Sequence, residues 1–268
     1  MIDFSLFSFI FVTLIIDIHI LDAYSFQKTT NTRTFKSIFF SKKFSTVCEI
    51  ELPQDRLKQI IKISDKYSDV HEMKNMFSKE LCDNIISTAE MYASKNGGWT
   101  TARHRGYPTT DLPYNYVGFD ESIKLIIKNE LLTIMAEKFG LNYNLLSIGE
   151  MFIAKYEFSP NKQSSLQAHR DGHPFSFIIN LNTPDKDFSG GNIKIFNLNT
   201  PNYDNFRSKI TGGTRFYTNQ NSDISDGKLV RPSEPGTAIL FCGWNLHEGV
   251  PVTKGLRYIL TGFCNYDM

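Results

Sequence analysis

The tripeptide His169-Arg170-Asp171 places an imidazole and a carboxylate two positions apart. Because side chains alternate along an extended chain, both groups project to the same side of a strand or of its exit. Such a pair can occupy two neighbouring positions on one metal ion. A second imidazole, His247, follows in the segment Trp244-Asn-Leu-His-Glu-Gly. Two His and one carboxylate form a facial set that leaves positions open on a non-haem Fe(II) ion.

Arg257 follows His247 by ten residues and supplies a cation. A 2-oxo acid can chelate iron through its C1 carboxylate and keto oxygen, which leaves one position for O2. The far carboxylate of 2-oxoglutarate then needs a partner, and the planar guanidinium can bond it through two parallel hydrogen bonds. The period of two along a strand puts Ile259 and Thr261 on the same face as Arg257. We therefore predict that the iron ligands are His169, Asp171 and His247. The predicted residues that bind the co-substrate are Arg257, Tyr156 and Thr261.

Each assignment has a structural alternative. Arg257 is also compatible with an exposed strand position, His247 with a turn, and Tyr156 with an interior aromatic position. Trp244 precedes His247 by three residues and is a candidate for the wall on the substrate side, with core packing as the alternative. The order and spacing of the four polar groups together favour the metal interpretation.

The composition is that of an ordinary globular protein without a strong net charge. The chain has 268 residues and a formal net charge of +1. This length accommodates one large domain with an appendage. We predict no nucleic-acid partner, because no basic stripe interleaved with aromatic residues is present.

Residues 1–25 are typical of a signal peptide. The stretch from Phe4 to Ile16 is apolar apart from Ser and Thr, which suits an h-region. Ala23-Tyr24-Ser25 offers a small-x-small cleavage site, although no Lys or Arg precedes the apolar stretch. A retained membrane anchor and a buried N-terminal helix are the alternatives. The first of these would give the protein a membrane partner.

Residues 26–48 are basic and rich in Ser and Thr, with no acidic residue. This composition is typical of a transit peptide. A signal followed by such a stretch resembles the bipartite presequences of complex plastids, and a disordered linker is the alternative. The absence of any Asn-x-Ser/Thr acceptor mildly favours the plastid. We predict the secretory pathway (lumen of the endoplasmic reticulum or Golgi), with the complex plastid as the alternative.

The remaining chain, residues 49–268, is expected to form one domain. Helical spacing predicts two amphipathic helices within residues 78–140, the first capped by Ser78 and the second running from Asp120 to Gly140. Short apolar runs separated by Gly and Pro predict a β core over residues 146–266. The strands are expected at Met151–Tyr156, Phe175–Leu181, Ile193–Phe196, Thr237–Cys242 and Leu256–Phe263. Helices before strands indicate an α+β domain with helices covering a sandwich or barrel.

Two further features concern the β core. The polar connection over residues 197–233 is long enough to be a lid or partly disordered.

Four Cys do not make a disulfide framework at this size. Cys242 and Cys264 are expected to be small core residues, with a bridge between them as the alternative.

Several blocks resemble the procollagen lysyl and prolyl hydroxylases of the 2-oxoglutarate/Fe(II)-dependent dioxygenase superfamily. The resemblance covers roughly residues 95–266 and rests on combined motifs. The blocks are Gly98-Trp-Thr-Thr-Ala-Arg-His104, Tyr107-Pro-Thr-Thr-Asp-Leu112, Lys155-Tyr-Glu-Phe-Ser-Pro-Asn-Lys-Gln-Ser-Ser-Leu-Gln-Ala-His-Arg-Asp171, Phe175-Ser-Phe, Asp187-Phe-Ser-Gly-Gly191 and His247-Glu-Gly-Val-Pro-Val-Thr-Lys-Gly-Leu-Arg-Tyr-Ile259.

The resemblance implies a jelly-roll fold, the double-stranded β-helix shared with cupins. It implies that His169, Asp171 and His247 bind Fe(II), that Arg257 binds 2-oxoglutarate, and that L-ascorbate keeps the iron reduced. The implied reaction hydroxylates a C–H bond and releases succinate and CO2. Trp99 and His173 join Trp244 as substrate-side candidates. His173, Ile178 and Asn192 depart from the common pattern.

The substrate class stays open at this point. A peptidyl proline, a peptidyl lysine and a small molecule are all compatible with the motifs, together with O2 as co-substrate. Two rival functions also remain. One is a catalytically silent jelly-roll binding protein that has retained the scaffold, and the other is a cupin-like metal enzyme in which Arg257 has no role.

Overall fold

The computed structural model describes residues 60–196 apart from 61, 105–106 and 120, residues 227–267, and the backbone of 210–211 and 215–216. These residues belong to one compact unit, Thr46–Met268. The predicted signal or anchor and the transit-like segment lie outside the described residues, as does most of the connection 197–233. No helix of the described portion is long and apolar enough to span a membrane.

The described chain contains helices mainly before residue 145 and strands mainly after it. Residues 62–66 are helical. The helices that follow are α1 (Lys79–Lys95), α2 (Tyr114–Val117), α3 (Glu121–Ile126), a π-helical turn (Ile127–Leu131), α4 (Leu132–Phe139) and a 3-10 turn (Tyr143–Leu145). The strands are β1 (His71–Met73), β2 (Asp111–Pro113), β3 (Leu146–Glu157), β4 (Leu166–His169), β5 (Phe175–Asn180), β6 (Phe188–Gly190), β7 (Ile193–Phe196), β8 (Ile210–Thr211), β9 (Arg215–Phe216), β10 (Gly227–Val230), β11 (Ala238–Cys242), β12 (His247–Gly249) and β13 (Val252–Tyr266).

Two antiparallel sheets carry the site. The major sheet has the order β1-β11-β5-β13-β3-β2, with β6 also paired to β13, and the minor sheet has the order β10-β7-β12-β4. Ile193, Ile195 and Val230 of the minor sheet share an apolar cluster with Ile239 and Phe241 of the major sheet. The two sheets therefore pack on each other, and the predicted α+β class is confirmed.

The helices cover the major sheet as expected. In α1 the side chain of Ser78 accepts a hydrogen bond from the Leu81 N–H, which caps the first turn. The buried face of α1 joins the same cluster as Ile153 and Phe175 of the sheet. The second predicted helix ends at Gly140 in the left-handed conformation, but a π-helical turn interrupts it at Ile127–Leu131. The spacing of apolar residues does not distinguish such a turn from a regular helix.

Strand boundaries follow tertiary pairing rather than local sequence. The predicted strand Leu256–Phe263 extends over Val252–Tyr266, because it pairs with β3, β5 and β6 at different points along its length. The short strands β1, β2, β4, β6, β8, β9, β10 and β12 were not predicted. Two to four residues are too few to show alternation.

The cysteines of the β core are free thiols. Cys242 and Cys264 both lie opposite Phe175 in register, one on each side of β5, and both are fully buried. Neither forms a disulfide, so the core interpretation holds and the bridge does not form. Burial raises the pKa of each thiol to about 12.

Candidate active site

His169, Asp171 and His247 converge between the sheets. Strands β4 and β12 pair with His169 directly opposite His247, and Asp171 follows the end of β4. Asp171 Oδ1 lies 3.4 Å from His169 Nε2 and 3.6 Å from His247 Nε2. One potential ligand atom from each residue lies within 4.8 Å of the others, and all three residues are buried. Among the described residues this is the group of three or more His, Cys, Asp and Glu side chains able to hold a metal.

Backbone carbonyls orient both imidazoles in the same way. His169 Nδ1 lies 2.8 Å from Gln167 O, and His247 Nδ1 lies 2.8 Å from Asn245 O. A carbonyl oxygen only accepts, so each Nδ1 carries the proton and each Nε2 keeps its lone pair. The two lone pairs and the Asp171 carboxylate are therefore presented together. This donor set fits Fe(II).

The charges in the group suit a metal ligand set. Burial lowers the pKa of His247 to about 4, further assisted by His169, which keeps this imidazole neutral. For Asp171, burial alone would raise the pKa, but the two His and a hydrogen bond from Ser176 Oγ to Asp171 Oδ2 outweigh it. The pKa of Asp171 is therefore lowered. His247 therefore offers a neutral nitrogen and Asp171 an anionic oxygen.

Gly243 allows the turn before β12 to approach Asp171 closely. The Gly243 carbonyl accepts from the Asp171 N–H at 2.7 Å, and the Gly243 N–H donates to Pro174 O at 2.9 Å. A Cβ at Gly243 would lie 2.5 Å from Ser176 Oγ and 2.6 Å from His173 O. A side chain at this position would therefore separate the two segments that hold the ligands.

Arg257 is a buried cation with unpaired donors. Its side chain lines the same pocket as the three candidate ligands, and the residue is 3 % exposed. Nε and Nη2 have no hydrogen-bond partner in the described structure. Burial lowers the pKa of Arg257 to about 10. Buried donors and charges normally have partners, so this position calls for an anionic ligand.

The other two predicted co-substrate residues lie beside Arg257. Tyr156 is directly opposite Arg257 in the β3–β13 register, lines the pocket and is buried, which raises its pKa to about 12. Thr261 shares the pocket face with Arg257 and Ile259. Its hydroxyl donates to Phe177 O at 3.1 Å, so its proton is already engaged by the backbone.

The structure does not bring the substrate-side candidates to the pocket lining. Trp244 packs in the main core, and its carbonyl accepts from Ser64 Oγ. His173 stacks on Phe263, which does line the pocket, with ring centroids 5.5 Å apart. Trp99 lines a separate groove and donates to Glu90. The core alternative for Trp244 is therefore the one observed.

Three functional contacts were not predicted from the sequence. Ser176 bonds Asp171, Arg170 donates to the Trp244 carbonyl, and Thr109 lines the pocket. Ser176 and Thr109 lie within blocks that carried the family resemblance, but nothing local to them indicates a role. Ser176 and Asp171 lie five residues apart with no periodic pattern between them, and Arg170 and Trp244 are 74 residues apart.

Sequence comparison finds relatives with partial coverage, although no family model matches the chain. "Multifunctional procollagen lysine hydroxylase and glycosyltransferase" from Caenorhabditis elegans is 26% identical over 205 residues, covering 74% of this chain and 24% of that protein. Mouse "Procollagen-lysine,2-oxoglutarate 5-dioxygenase 2" is 28% identical over 201 residues, covering 70% and 22% respectively. The chain thus spans about a quarter of the length of these relatives.

Structural comparison supports the same fold. The epimerase SnoN, solved with Fe3+, alpha ketoglutarate and nogalamycin RO, matches with a TM-score of 0.53 at 11% identity, covering 80% of this chain and 85% of SnoN. The chain is thus similar in sequence to these procollagen lysine hydroxylases and in fold to SnoN. The predicted jelly-roll is thereby confirmed. In sequence, the chain is a distant homologue of these lysine hydroxylases over about a quarter of their length.

Proposed function

We propose that this chain is an Fe(II)- and 2-oxoglutarate-dependent hydroxylase of the prolyl and lysyl type. Arg257 carries the proposal: a buried guanidinium with two unpaired donors lines the same pocket as two imidazoles and a carboxylate. A metal enzyme without a 2-oxo acid would leave that charge without a partner.

The chain's own groups would divide the work as follows. His169, Asp171 and His247 would hold the metal, and Ser176 would fix the carboxylate of Asp171. Arg257 would bind the far carboxylate of 2-oxoglutarate, with Tyr156 beside it as a second donor. When bound, the metal and the 2-oxo acid together supply the oxidising chemistry that hydroxylates a C–H bond and yields succinate and CO2.

The pocket wall would exclude water from the reaction. Apolar side chains make up much of the lining beside the polar groups, namely Phe152, Leu166, Ile178, Ile193, Phe241, Ile259 and Phe263. Such surroundings strengthen the electrostatic contacts to a bound anion. They would also place a substrate carbon, instead of water, beside the metal.

We propose a peptidyl lysine or proline as the substrate. The names of the relatives support this class, since they describe procollagen lysine as the group acted upon. The alternative is a small molecule. L-ascorbate as the supporting reductant, and a destination in the secretory pathway or a complex plastid, belong to the same proposal.

Succinate formation tests the proposed function directly. The wild type is incubated with Fe(II), 2-oxoglutarate and ascorbate, with and without lysyl and prolyl peptides, beside His169→Ala and Arg257→Ala. We expect slow turnover without peptide, stimulation by a substrate peptide, no turnover in His169→Ala, and a sharply raised 2-oxoglutarate requirement in Arg257→Ala.

Two results would contradict the proposal in different ways. Wild-type protein that binds iron and 2-oxoglutarate but never forms succinate would be a binding protein that has retained the scaffold. Arg257→Ala with an unchanged 2-oxoglutarate requirement would remove the co-substrate assignment and favour a cupin-like metal enzyme. Omitting ascorbate tests the reductant, since turnover without it should decline with time.

A further inference from the structure

A second charge cluster, built around one buried carboxylate, borders the pocket. Asp111 of β2 is fully buried, and Arg103 Nη1 donates to its Oδ1 at 2.6 Å. Oδ2 accepts from the Thr109 hydroxyl, and His104 Nε2 lies 3.2 Å away without the alignment of a hydrogen bond. The second nitrogen of the Arg103 fork donates to Glu150 of β3. Arg103 therefore pairs with two carboxylates.

The register of the major sheet puts this cluster next to the candidate co-substrate site. Asp111 lies opposite Ala154, and the Lys155 N–H donates to Thr110 O, so Thr109 lies beside Tyr156. Thr109 and Tyr156 both line the pocket, and Arg257 follows on the far side of Tyr156. The electrostatic influences on the Tyr156 pKa include Arg257, which lowers it, and Asp111, which raises it.

Two arginines near the pocket thus differ in whether a carboxylate binds them. Arg103 is bound by Asp111 and Glu150, while Nε and Nη2 of Arg257 are unpaired in the described structure. Asp111 is the buried carboxylate of this cluster, and a buried carboxylate without its own cation repels other anions and attracts neighbouring cations. An unneutralised Asp111 would attract the Arg257 guanidinium and repel an incoming carboxylate.

We propose that Arg103 is a positioning residue for co-substrate binding: it neutralises Asp111, and this leaves Arg257 available for the far carboxylate of 2-oxoglutarate. This inference rests on the proposed function, and it assigns Arg103 a role without contact to the co-substrate. Thr109 connects the two sites, because the residue lines the pocket and its hydroxyl donates to Asp111.

Charge substitutions should act with opposite signs. In Arg103→Met the Asp111 carboxylate loses its cation, so the affinity for 2-oxoglutarate falls. In Asp111→Asn the buried negative charge disappears while an oxygen remains to accept from Thr109, so the affinity is retained or improves. In the double variant Arg103→Met/Asp111→Asn the affinity returns. A purely structural role would weaken binding in all three variants.

Calorimetric titration of 2-oxoglutarate into the Mn(II)-loaded full chain measures this affinity without turnover. We expect the Kd to rise about tenfold or more in Arg103→Met and to stay within about threefold of wild type in the other two. Arg231→Met is the matched control, since Arg231 forms an exposed ion pair with Asp185 at the same 2.6 Å and does not line the pocket. Thermal unfolding of the metal-free variants records stability separately.

The inference is wrong if Arg103→Met binds 2-oxoglutarate like the wild type, or if Asp111→Asn weakens binding as much as Arg103→Met. If Arg103→Met does not fold, Asp111→Asn alone decides, since weakened binding there contradicts the electrostatic account. Failure of the proposed function gives a different result, because the Mn(II)-loaded wild type would then not bind 2-oxoglutarate at all.

Discussion

At the scale of single residues, Arg257 is a buried charge that destabilises the unliganded fold, and it lies in the candidate co-substrate site. Its buried guanidinium, with Nε and Nη2 unpaired in the described structure, is a cost to the unliganded fold, which a ligand carboxylate would offset. We predict that Arg257→Met does not lower the free energy of unfolding and raises it by up to about 2 kcal/mol, while 2-oxoglutarate binding is lost. Urea unfolding of the metal-free protein measures the first effect.

Arg170→Met provides the contrast for that measurement. Arg170 is equally buried, but it donates to the Trp244 carbonyl and so connects the end of β4 to the turn before β12. Removing it takes away the charged one of two donors to the Trp244 carbonyl, which keeps its bond from Ser64 Oγ, and we expect a loss of about 1.5 to 3 kcal/mol, as for a hydrogen bond to a charged group. Equal destabilisation by both substitutions would contradict the view that Arg257 is kept for a ligand.

Ser176 should affect the metal rather than the fold. Its hydroxyl fixes Asp171 Oδ2, and removal of such an outer contact typically weakens metal affinity by about 10- to 100-fold. We therefore predict weaker Mn(II) binding in Ser176→Ala, measured by competition with a chelator. Ser147→Ala, at an exposed position of β3, is the control and should bind like the wild type. Unchanged affinity in Ser176→Ala would remove the positioning role.

At the scale of elements, the turn at Gly243 positions the candidate metal ligands together with the strands that it joins. A Cβ there would collide with Ser176 Oγ and the His173 carbonyl, whereas a Cβ at Gly172 would meet nothing within 4 Å. We predict that Gly243→Ala costs about 1 to 3 kcal/mol and weakens metal binding. Gly172→Ala, one residue from Asp171, should change neither property. Thermal unfolding and metal titration of the pair check this, and similar behaviour of the two variants would contradict it.

The sequence identified the long elements well and the short ones poorly. Ser78 and the Gly97-Gly98 pair bounded α1, because capping and chain reversal are local effects. The π-helical turn at Ile127–Leu131 and the three-residue β2 depend on packing against β3 and the core, which no local pattern records. β2 in particular was hidden, although it carries Asp111.

At the scale of the whole molecule, the candidate site joins segments from both sheets. The spacing of His169 and Asp171, and the order in which His247 and Arg257 follow, was enough to predict which side chains converge. Ser176 and the Arg103–Asp111 pair could not be predicted, because these contacts form across irregular turns that carry no periodic pattern. Thr109 reaches the pocket only because β2 pairs with the distant β3. Trp244 was placed in the core by packing that its neighbours in sequence do not indicate.

Burial should also make the core thiols unreactive in the folded protein. Cys82, Cys242 and Cys264 are free and buried, and burial raises the pKa of each to about 12, so the thiolate is scarce at pH 8. We predict that iodoacetamide leaves these three unmodified in the native state and alkylates them after unfolding. Peptide mass spectrometry distinguishes the sites, and rapid native labelling of Cys242 would contradict the packing of β11.

Targeting is a property of the N-terminal residues and is tested apart from the fold. Fusion of residues 1–25 to a reporter should direct it into the secretory pathway. Fusion of residues 1–48 separates a secretory destination from a plastid one. A reporter that stays in the cytosol with both fusions would exclude both predicted destinations.

The central claim is that one pocket holds Fe(II) and 2-oxoglutarate together. Anaerobic visible absorption tests it most directly, because a 2-oxo acid chelated to Fe(II) absorbs by charge transfer from metal to ligand. The wild type should show this band at stoichiometric iron, His169→Ala should not, and Arg257→Met should need far more 2-oxoglutarate. Wild-type protein that binds Fe(II) yet develops no band at any 2-oxoglutarate concentration would contradict the account.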